Sequence, residues 1–582
     1  MSAIEQLITN NIDVWSSAIQ KKKSVGRGSS KKIELYGIKK LRELILELAV
    51  RGLLVSQDPN DEPASALLEK LKNIKAELIN NKLIKKNRKL PVISDDEKSF
   101  HLPSGWAWER FDEIYDVRDG THDSPKPQAT GYPLVTSKNL YTGQLDMSNV
   151  KYISETDHLK IIERSYVERN DILFAMIGSI GNPVIVDVDE PFSIKNVALF
   201  KYFDKSLSVP SYLRYYLKLA AEIMKGQSSG GVQAFVSLGN LRSFVMGVPP
   251  LAEQHRIVAK VDELMALCDQ LEQQQENSIA AHELLVETLL TALTNAANKG
   301  DFDNAWTKIA NHFDTLFTTE HSIDQLKQTI LQLAVMGKLV PQDLSDEPAS
   351  LLLEKITVKK ELLVKEKKIK KQKELPEITE DEKPFELPKN WLWVRLGYIT
   401  SKITDGDHQT PPRIAEGYRL LSAKNVRDGY LEFKNCDFIS EEHYIKSRER
   451  CLPEPGDLLI VSVGGTIGRT SLVPADSDFA LVRSVALIKP LLLNSSYLKH
   501  AMDSSLLQNS IHSRKRGGAQ PCLYLSEIEM FGFSLPPIEE QERIVVKVDE
   551  LLALCDSLKQ SINTSKITQL HLADVMADQA LI

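Results

Sequence analysis

The sequence predicts an α+β protein, with two similar globular α/β domains separated by long helical arms that form an antiparallel coiled coil, as a pseudo-two-fold internal repeat. Three observations predict it. Long stretches recur about half a chain apart, two proline-opened segments carry the same heptad seam, and two intervening regions hold short apolar runs bounded by glycine.

The repeat sets the organisation. Asp61-Glu62-Pro63-Ala64-Ser65 returns as Asp346-Glu347-Pro348-Ala349-Ser350, an offset of 285. Leu102, Pro103, Trp106 and Trp108 return at that offset as Leu387, Pro388, Trp391 and Trp393. Asp119-Gly120 with His122 matches Asp405-Gly406 with His408 at 286, and Lys138-Asn139 matches Lys424-Asn425. Glu253-Gln254, Arg256-Ile257-Val258 and Lys260 to Leu264 return between Glu540 and Leu551 at 287. A period this long holds a whole domain, unlike the short unit of a solenoid. The predicted order is an N-terminal helical arm 1–100, a first domain 101–250, a central helical spacer 251–385, a second domain 386–537 and a C-terminal helical arm 538–582. The two terminal arms together make one equivalent of the central one, so the organisation is cyclic.

Pro249-Pro250 and Pro536-Pro537 open the arms, since proline suits the first turn of a helix. Behind them Ile257, Val261, Leu264, Cys268 and Leu271 alternate steps of four and three, and Ile544, Val548, Leu551, Cys555 and Leu558 repeat the pattern. This is a heptad seam edged by Glu, Lys, Arg and Gln, and it loosens at Gln275 and Ser278. A helix over 251–297 would run roughly 65–70 Å at 1.5 Å per residue. The seams are expected to pair with each other inside the chain, with homodimerisation as the alternative; ordinary core packing explains the stripes equally. Ile38, Leu41, Ile45 and Leu48, matched by Ile323, Leu326, Ile330 and Leu333, make a second amphipathic helix type.

The domains hold buried-strand runs such as Asp171 to Ile177 and Asp457 to Val463. Four polar stretches interrupt them, and their residues are the candidates for a DNA contact. The first supplies Arg118, Thr121, His122 and Lys126, opposite Asp407, His408, Gln409 and Thr410. The second supplies Ser137, Lys138 and Asn139, opposite Lys424 and Asn425. The third is a glycine turn with Ser179 or Thr466. The fourth is neutral in one copy, with Gln227, Ser228 and Gln233, and basic in the other, with Arg514, Lys515, Arg516 and Gln520. Asn and Gln pair with adenine at two points, Arg and Lys with guanine, and glycine turns admit phosphate. Turn chemistry alone accounts for many of the same residues.

Composition narrows the classes. The chain of 582 residues is 42% hydrophobic, ample for several cores. A net charge of −7 excludes a globally basic nucleic-acid coat, so DNA binding must rest on local patches. No run of about 18 uncharged apolar residues occurs, and the start has no secretory pattern, so no membrane span and a cytoplasmic location are expected. Five scattered cysteines without a CxxC pair fit neither a zinc site nor a disulfide framework. No HExxH, P-loop or strand-following GxGxxG is present, and Asn182-Pro183 continues with Val184 rather than the Pro-aromatic of amino-methyltransferases. No catalytic residue, metal site or cofactor is therefore assigned to this chain. A stand-alone DNA-modifying enzyme with an unrecognised site and a coiled-coil protein scaffold remain the alternatives.

The twin Leu-Pro-x-x-Trp-x-Trp openings, the twin Pro-Pro-x-x-Glu-Gln-x-Arg-Ile-Val-x-Lys-Val-Asp-Glu-Leu helix starts, and Ile38 to Leu46 with Asp61 to Ser65 resemble the specificity subunits of type I restriction–modification systems, the IB branch above all. The resemblance covers essentially the whole chain. It implies a non-catalytic subunit whose two target-recognition domains each read one block of a split, asymmetric double-stranded DNA sequence. It implies helical arms that set the spacer and dock two methyltransferase subunits, through which restriction subunits join. S-adenosylmethionine, ATP and Mg would then belong to those partners.

Overall fold

The computed structural model describes residues 3–21, 33–178, 180–227, 235–518 and 520–581. The chain divides into two compact units, Met1–Ser278 with Lys566–Ile582, and Ile279–Ser565.

In the first unit the helix Tyr36–Arg51 lays Ile38, Leu41, Ile45 and Leu48 into one core with Ile257, Val261, Leu264, Cys268 and Leu271 of the helix Leu251–Thr294. Ala573 and Ala577 of the helix Ile538–Gln579 join that core. Arg42 edges the contact with ion pairs to Asp269 at 2.7 Å and Glu272 at 2.6 Å. In the second unit the helix Glu320–Val335 buries Ile323, Leu326, Ile330 and Leu333 with Ile544, Val548 and Cys555, and with Val286, Leu290 and Leu293. Lys559 and Asp324 edge it at 2.7 Å, while Leu551 and Leu558 flank the core partly buried. Each heptad seam is thus covered, within its own unit, by the shorter amphipathic stripe beside it. The two helix types distinguished in the sequence are partners.

Both shorter helices stop at a glycine in the left-handed region, Gly52 at φ 71° and Gly337 at φ 67°. Leu53 N–H then donates to Leu48 at 2.9 Å and Lys338 N–H to Leu333 at 3.0 Å, closing the last turn. A Cβ on either would also collide with Pro103 or Pro388, at 2.5 and 2.4 Å.

The globular part of each unit repeats one design. A four-stranded antiparallel sheet runs in the order Tyr115–Asp119, Val197–Tyr202, Ile172–Ala175, Gly181–Ile185. Its counterpart is Thr400–Asp405, Val485–Pro490, Leu458–Val461, Thr470–Leu472. Successive strand residues face opposite sides, so a run apolar throughout needs both sides covered. Ile172 and Phe174 enter the core shared with the arm, while Leu173 and Ala175 enter a separate one beneath the loops. Leu458 and Ile460, against Leu459 and Val461, divide likewise. A three-stranded sheet, Lys151–Ile153, Tyr132–Val135 and Ser193–Ile194 (or Asp437–Ile439, Tyr418–Leu421 and Ala480–Leu481), carries the loop end. A two-stranded ribbon pairs Ala107–Arg110 with Val245–Val248, and Leu392–Arg395 with Gly532–Leu535, holding the two ends of each domain together.

Candidate nucleic-acid interface

The repeated motifs first build a junction between domain and arm. Trp106 Nε1 donates to Glu253 Oε2 at 3.0 Å, and Gln57 donates to the other carboxylate oxygen at 3.0 Å. Trp391 and Gln342 treat Glu540 identically, at 2.8 and 2.6 Å. Arg256 forks onto Asp61 at 2.6 and 3.3 Å, and Arg543 onto Asp346 at 2.5 and 3.1 Å. Burial pushes the pKa of Glu253 and Glu540 up, partly opposed by the indole and amide donors. Buried hydrogen bonds to a charged group contribute about 1.5–3 kcal/mol each, so the domain is seated firmly on its arm. A second clasp lies beside it. Arg110 and Arg395 hold the Glu97 and Glu382 carboxyls at a pKa of about 2.

Away from the junction, the polar loops converge on one short segment in each domain. In the second domain it is Arg483-Ser484. Arg483 N–H donates to the Asp407 carbonyl at 3.0 Å, and Ala423 N–H to Ser484 Oγ at 3.1 Å. Ser462 N–H donates to the Ser484 carbonyl at 2.9 Å, and the turn after it abuts the basic loop through Gly464 N–H on the Pro521 carbonyl at 3.0 Å. In the first domain Lys195-Asn196 has the same place: Asn196 N–H donates to Thr121, Lys195 N–H to Val135 and Met176 N–H to Asn196. The glycines of the Asp-Gly turns are required here. A Cβ on Gly120 would lie 2.2 Å from the Ile194 carbonyl oxygen, and one on Gly406 2.0 Å from that of Leu481.

Each Asp-Gly turn carries one constellation. The buried Asp119 carboxylate accepts from Arg164, in the last turn of the helix Glu155–Ser165, and lies 3.0 Å from His122 Nε2. The other ring nitrogen of His122 faces Asn196 Oδ1 at 3.1 Å. Asp405 lies 2.5 Å from Arg450 and 3.1 Å from His408 Nε2, with Arg450 in the last turn of Glu441–Arg450. Both histidines stay more than half exposed, at 56% and 55%.

Several predicted contact residues are spent on the fold instead. Asn139 is buried; its Oδ1 accepts from Thr136 N–H at 2.9 Å and its amide donates to Asp146 at 3.0 Å. Asn425 accepts from Ser422 N–H at 3.0 Å and donates to Glu432 at 2.9 Å. Their hydrogen-bonding groups close a turn, which corrects the expectation that they face bases. Arg118 is held by Asp116 at 2.5 and 2.8 Å, and Arg514 by Glu382 at 3.2 Å with its guanidinium over Phe531. Asp407 accepts from Ser447, leaving the loop as an acceptor already used.

Others remain at the surface. Lys126, Lys138, Gln409, Thr410, Lys515 and Gln520 are exposed, Arg516 pairs with Glu527 at 2.6 Å, and Lys424 pairs with Asp437 at 3.1 Å. Thr121, Ser137 and Thr466 are half-buried. Ser179, Ser228 and Gln233 lie outside the described residues, and of Gln227 only the backbone, at a helix end, is described. Sequence reasoning missed Arg164 and Arg450, and Lys195 and Arg483. The first pair was detectable as one more match at offset 286.

Among the described residues no helix is long and apolar enough to cross a membrane, and no group of three or more His, Cys, Asp or Glu is placed to hold a metal. The family described as the type I restriction modification DNA specificity domain matches residues 103–281 and 365–567. The chain belongs to this family. It is 41% identical over 614 aligned residues to the type I restriction enzyme EcoAI specificity subunit of Escherichia coli, covering all of both chains. To the EcoEI specificity subunit of Escherichia coli it is 37% identical, again over the whole of both. The HsdS subunit from Thermoanaerobacter tengcongensis aligns over 83% of this chain and 98% of its own at 19% identity, with a TM-score of 0.41.

Proposed function

We propose that the chain is the DNA-specificity subunit of a type I restriction–modification complex. Residues 101–250 and 386–537 are its two target-recognition domains, each reading one block of a bipartite, asymmetric double-stranded target. The arms 1–100, 251–385 and 538–582 set the unspecified spacer and dock two methyltransferase subunits, through which restriction subunits join. The chain performs no chemistry itself; S-adenosylmethionine, ATP and Mg belong to the partners, and the complex works in the cytoplasm. The observation that carries this reading is full-length identity of 41% to a specificity subunit. The duplicated scaffold supports it, because one frame with differing exposed loops suits two readers of different blocks. Reading falls to the exposed side chains Lys126, Lys138, Gln409, Thr410, Lys515 and Gln520, since base edges are reached only by groups not consumed within the loop.

Expression of the chain with its methyltransferase partner, followed by methylome sequencing, tests this. Methylated adenine in one split motif with a fixed gap is expected. Modification by the chain alone, or a methylome without a split motif, overturns it.

A further inference from the structure

Resting on that reading, we infer that two recurring basic turns, residues 82–88 and 367–373, hold the DNA phosphodiester backbone without reading bases. A net charge of −7 leaves phosphate binding to local patches, and these turns are dense in cations. Lys82, Lys85, Lys86 and Arg88 return at an offset of 285 as Lys367, Lys370, Lys371 and Lys373. All eight are exposed, and among the described residues none of them is paired with a carboxylate. Lys368, which stands opposite Leu83, is instead taken up by Glu366 at 2.9 Å. Charge is therefore available at the positions that recur.

Each turn is held on a fixed frame. The helices Ala64–Asn80 and Ala349–Lys365 close where Leu83 N–H donates to the Leu78 carbonyl and Lys368 N–H to that of Leu363, both at 2.9 Å. Closure puts Lys82 and Lys367 in the left-handed region, each at φ 57°. Glycine or asparagine is the relaxed choice there, yet lysine stands at both. Farther along, Asn87 donates to Asp112 at 2.7 Å, and its counterpart Gln372 accepts from Lys360 at 2.7 Å. Arg110 and Arg395 then fasten the chain by donating to the Pro91 and Pro376 carbonyls, at 3.0 and 2.9 Å. In the second unit that frame continues to the basic loop, because Arg395 and Arg514 share Glu382 at 2.6 and 3.2 Å. Lysine ammoniums are compact point charges suited to phosphate, and lysine is depleted in protein–protein interfaces. The turns thus fit a duplex better than a protein surface.

The test uses the chain assembled with its methyltransferase subunits, and two labelled duplexes: the methylome-defined target, and the same duplex with one block scrambled. One variant carries Lys82→Gln, Lys85→Gln, Lys86→Gln and Arg88→Gln; the other carries Lys367→Gln, Lys370→Gln, Lys371→Gln and Lys373→Gln. Each should bind both duplexes more weakly by one common factor, with the methylated motif unchanged. At about 0.9 per phosphate contact, the plot of log affinity against log salt should become shallower by roughly 1–4 in each. The same positions filled by arginine throughout should keep the wild-type slope. A slope changed by less than about one, or a changed ratio between the duplexes, would overturn the inference. So would loss of the methyltransferase subunits from the complex with the salt slope of DNA binding intact, which would make the turns a protein-docking surface. If the wild-type complex fails to distinguish the duplexes, the specificity reading falls, while the slope comparison still decides the phosphate contact.

Discussion

Asn425→Ala separates a structural asparagine from a reading one. Asn425 is fully buried and closes the turn Ser422 to Asn435, accepting from Ser422 N–H at 3.0 Å and donating to Glu432 at 2.9 Å, with longer bonds to Ser422 Oγ and Asn435. Alanine removes all four and leaves the half-buried Ser422 N–H and Glu432 carbonyl without these partners. Each such orphan costs about 1–3 kcal/mol, so the two short bonds together place the loss near ~3 kcal/mol. At 1.4 kcal/mol per decade this raises local opening about a hundredfold. Hydrogen–deuterium exchange of the full chain should show amides 422–435 exchanging faster by that factor, while the methylated motif stays the same. Asn139→Ala should behave alike over 136–149, because its cap has the same four bonds. Unchanged protection together with an altered base preference would refute the argument and return both asparagines to the reading surface.

Gly406→Ala places a methyl 2.0 Å from the Leu481 carbonyl oxygen, so thermal unfolding should shift down by at least the roughly 1–3 kcal/mol of an overpacked site; an unshifted transition would show the crossing to be loose. Arg514→Ala removes the bond to Glu382 and the stacking on Phe531, and should lower stability with little effect on the salt slope of DNA binding. Lys515→Ala should do the reverse. Acid should open the clasp between Arg110 and Glu97, and that between Arg395 and Glu382. Hydrogen bonding to arginine lowers both carboxyl pKa values to about 2, so the stabilisation is full above the ordinary 4.5 and disappears as the pH falls through about 2. Trp108 packs at a tilt against Phe100 and Trp393 against Phe385 beside the clasps, so tryptophan fluorescence reports the transition. A Glu97→Gln/Glu382→Gln double variant should lack it.

What could be read in advance was whatever the chain had to state twice. Seating a domain on an arm takes Trp106, Gln57, Glu253, Arg256 and Asp61 together, and the second domain makes the same seat from Trp391, Gln342, Glu540, Arg543 and Asp346. Buried polar networks tolerate little substitution, because a missing partner strands a desolvated group. The motifs therefore stayed recognisable across the duplication. Partnership was less legible. The seam of Ile257 and Val261 and the stripe of Ile38 and Leu41 are each amphipathic alone, and periodicity says which face is buried but not against what.

The loops were the hardest to read, for a reason that lies in hydrogen-bond capacity. Asn139 and Lys138 are neighbours with equal claim to a base, yet the turn consumes every group of Asn139 and leaves the Lys138 ammonium exposed. Lys195 and Arg483 gave no signal in the sequence because each lies between two short apolar strands, and only crossing strands bring the loops onto that segment. Availability to DNA is thus decided by what the backbone has already claimed.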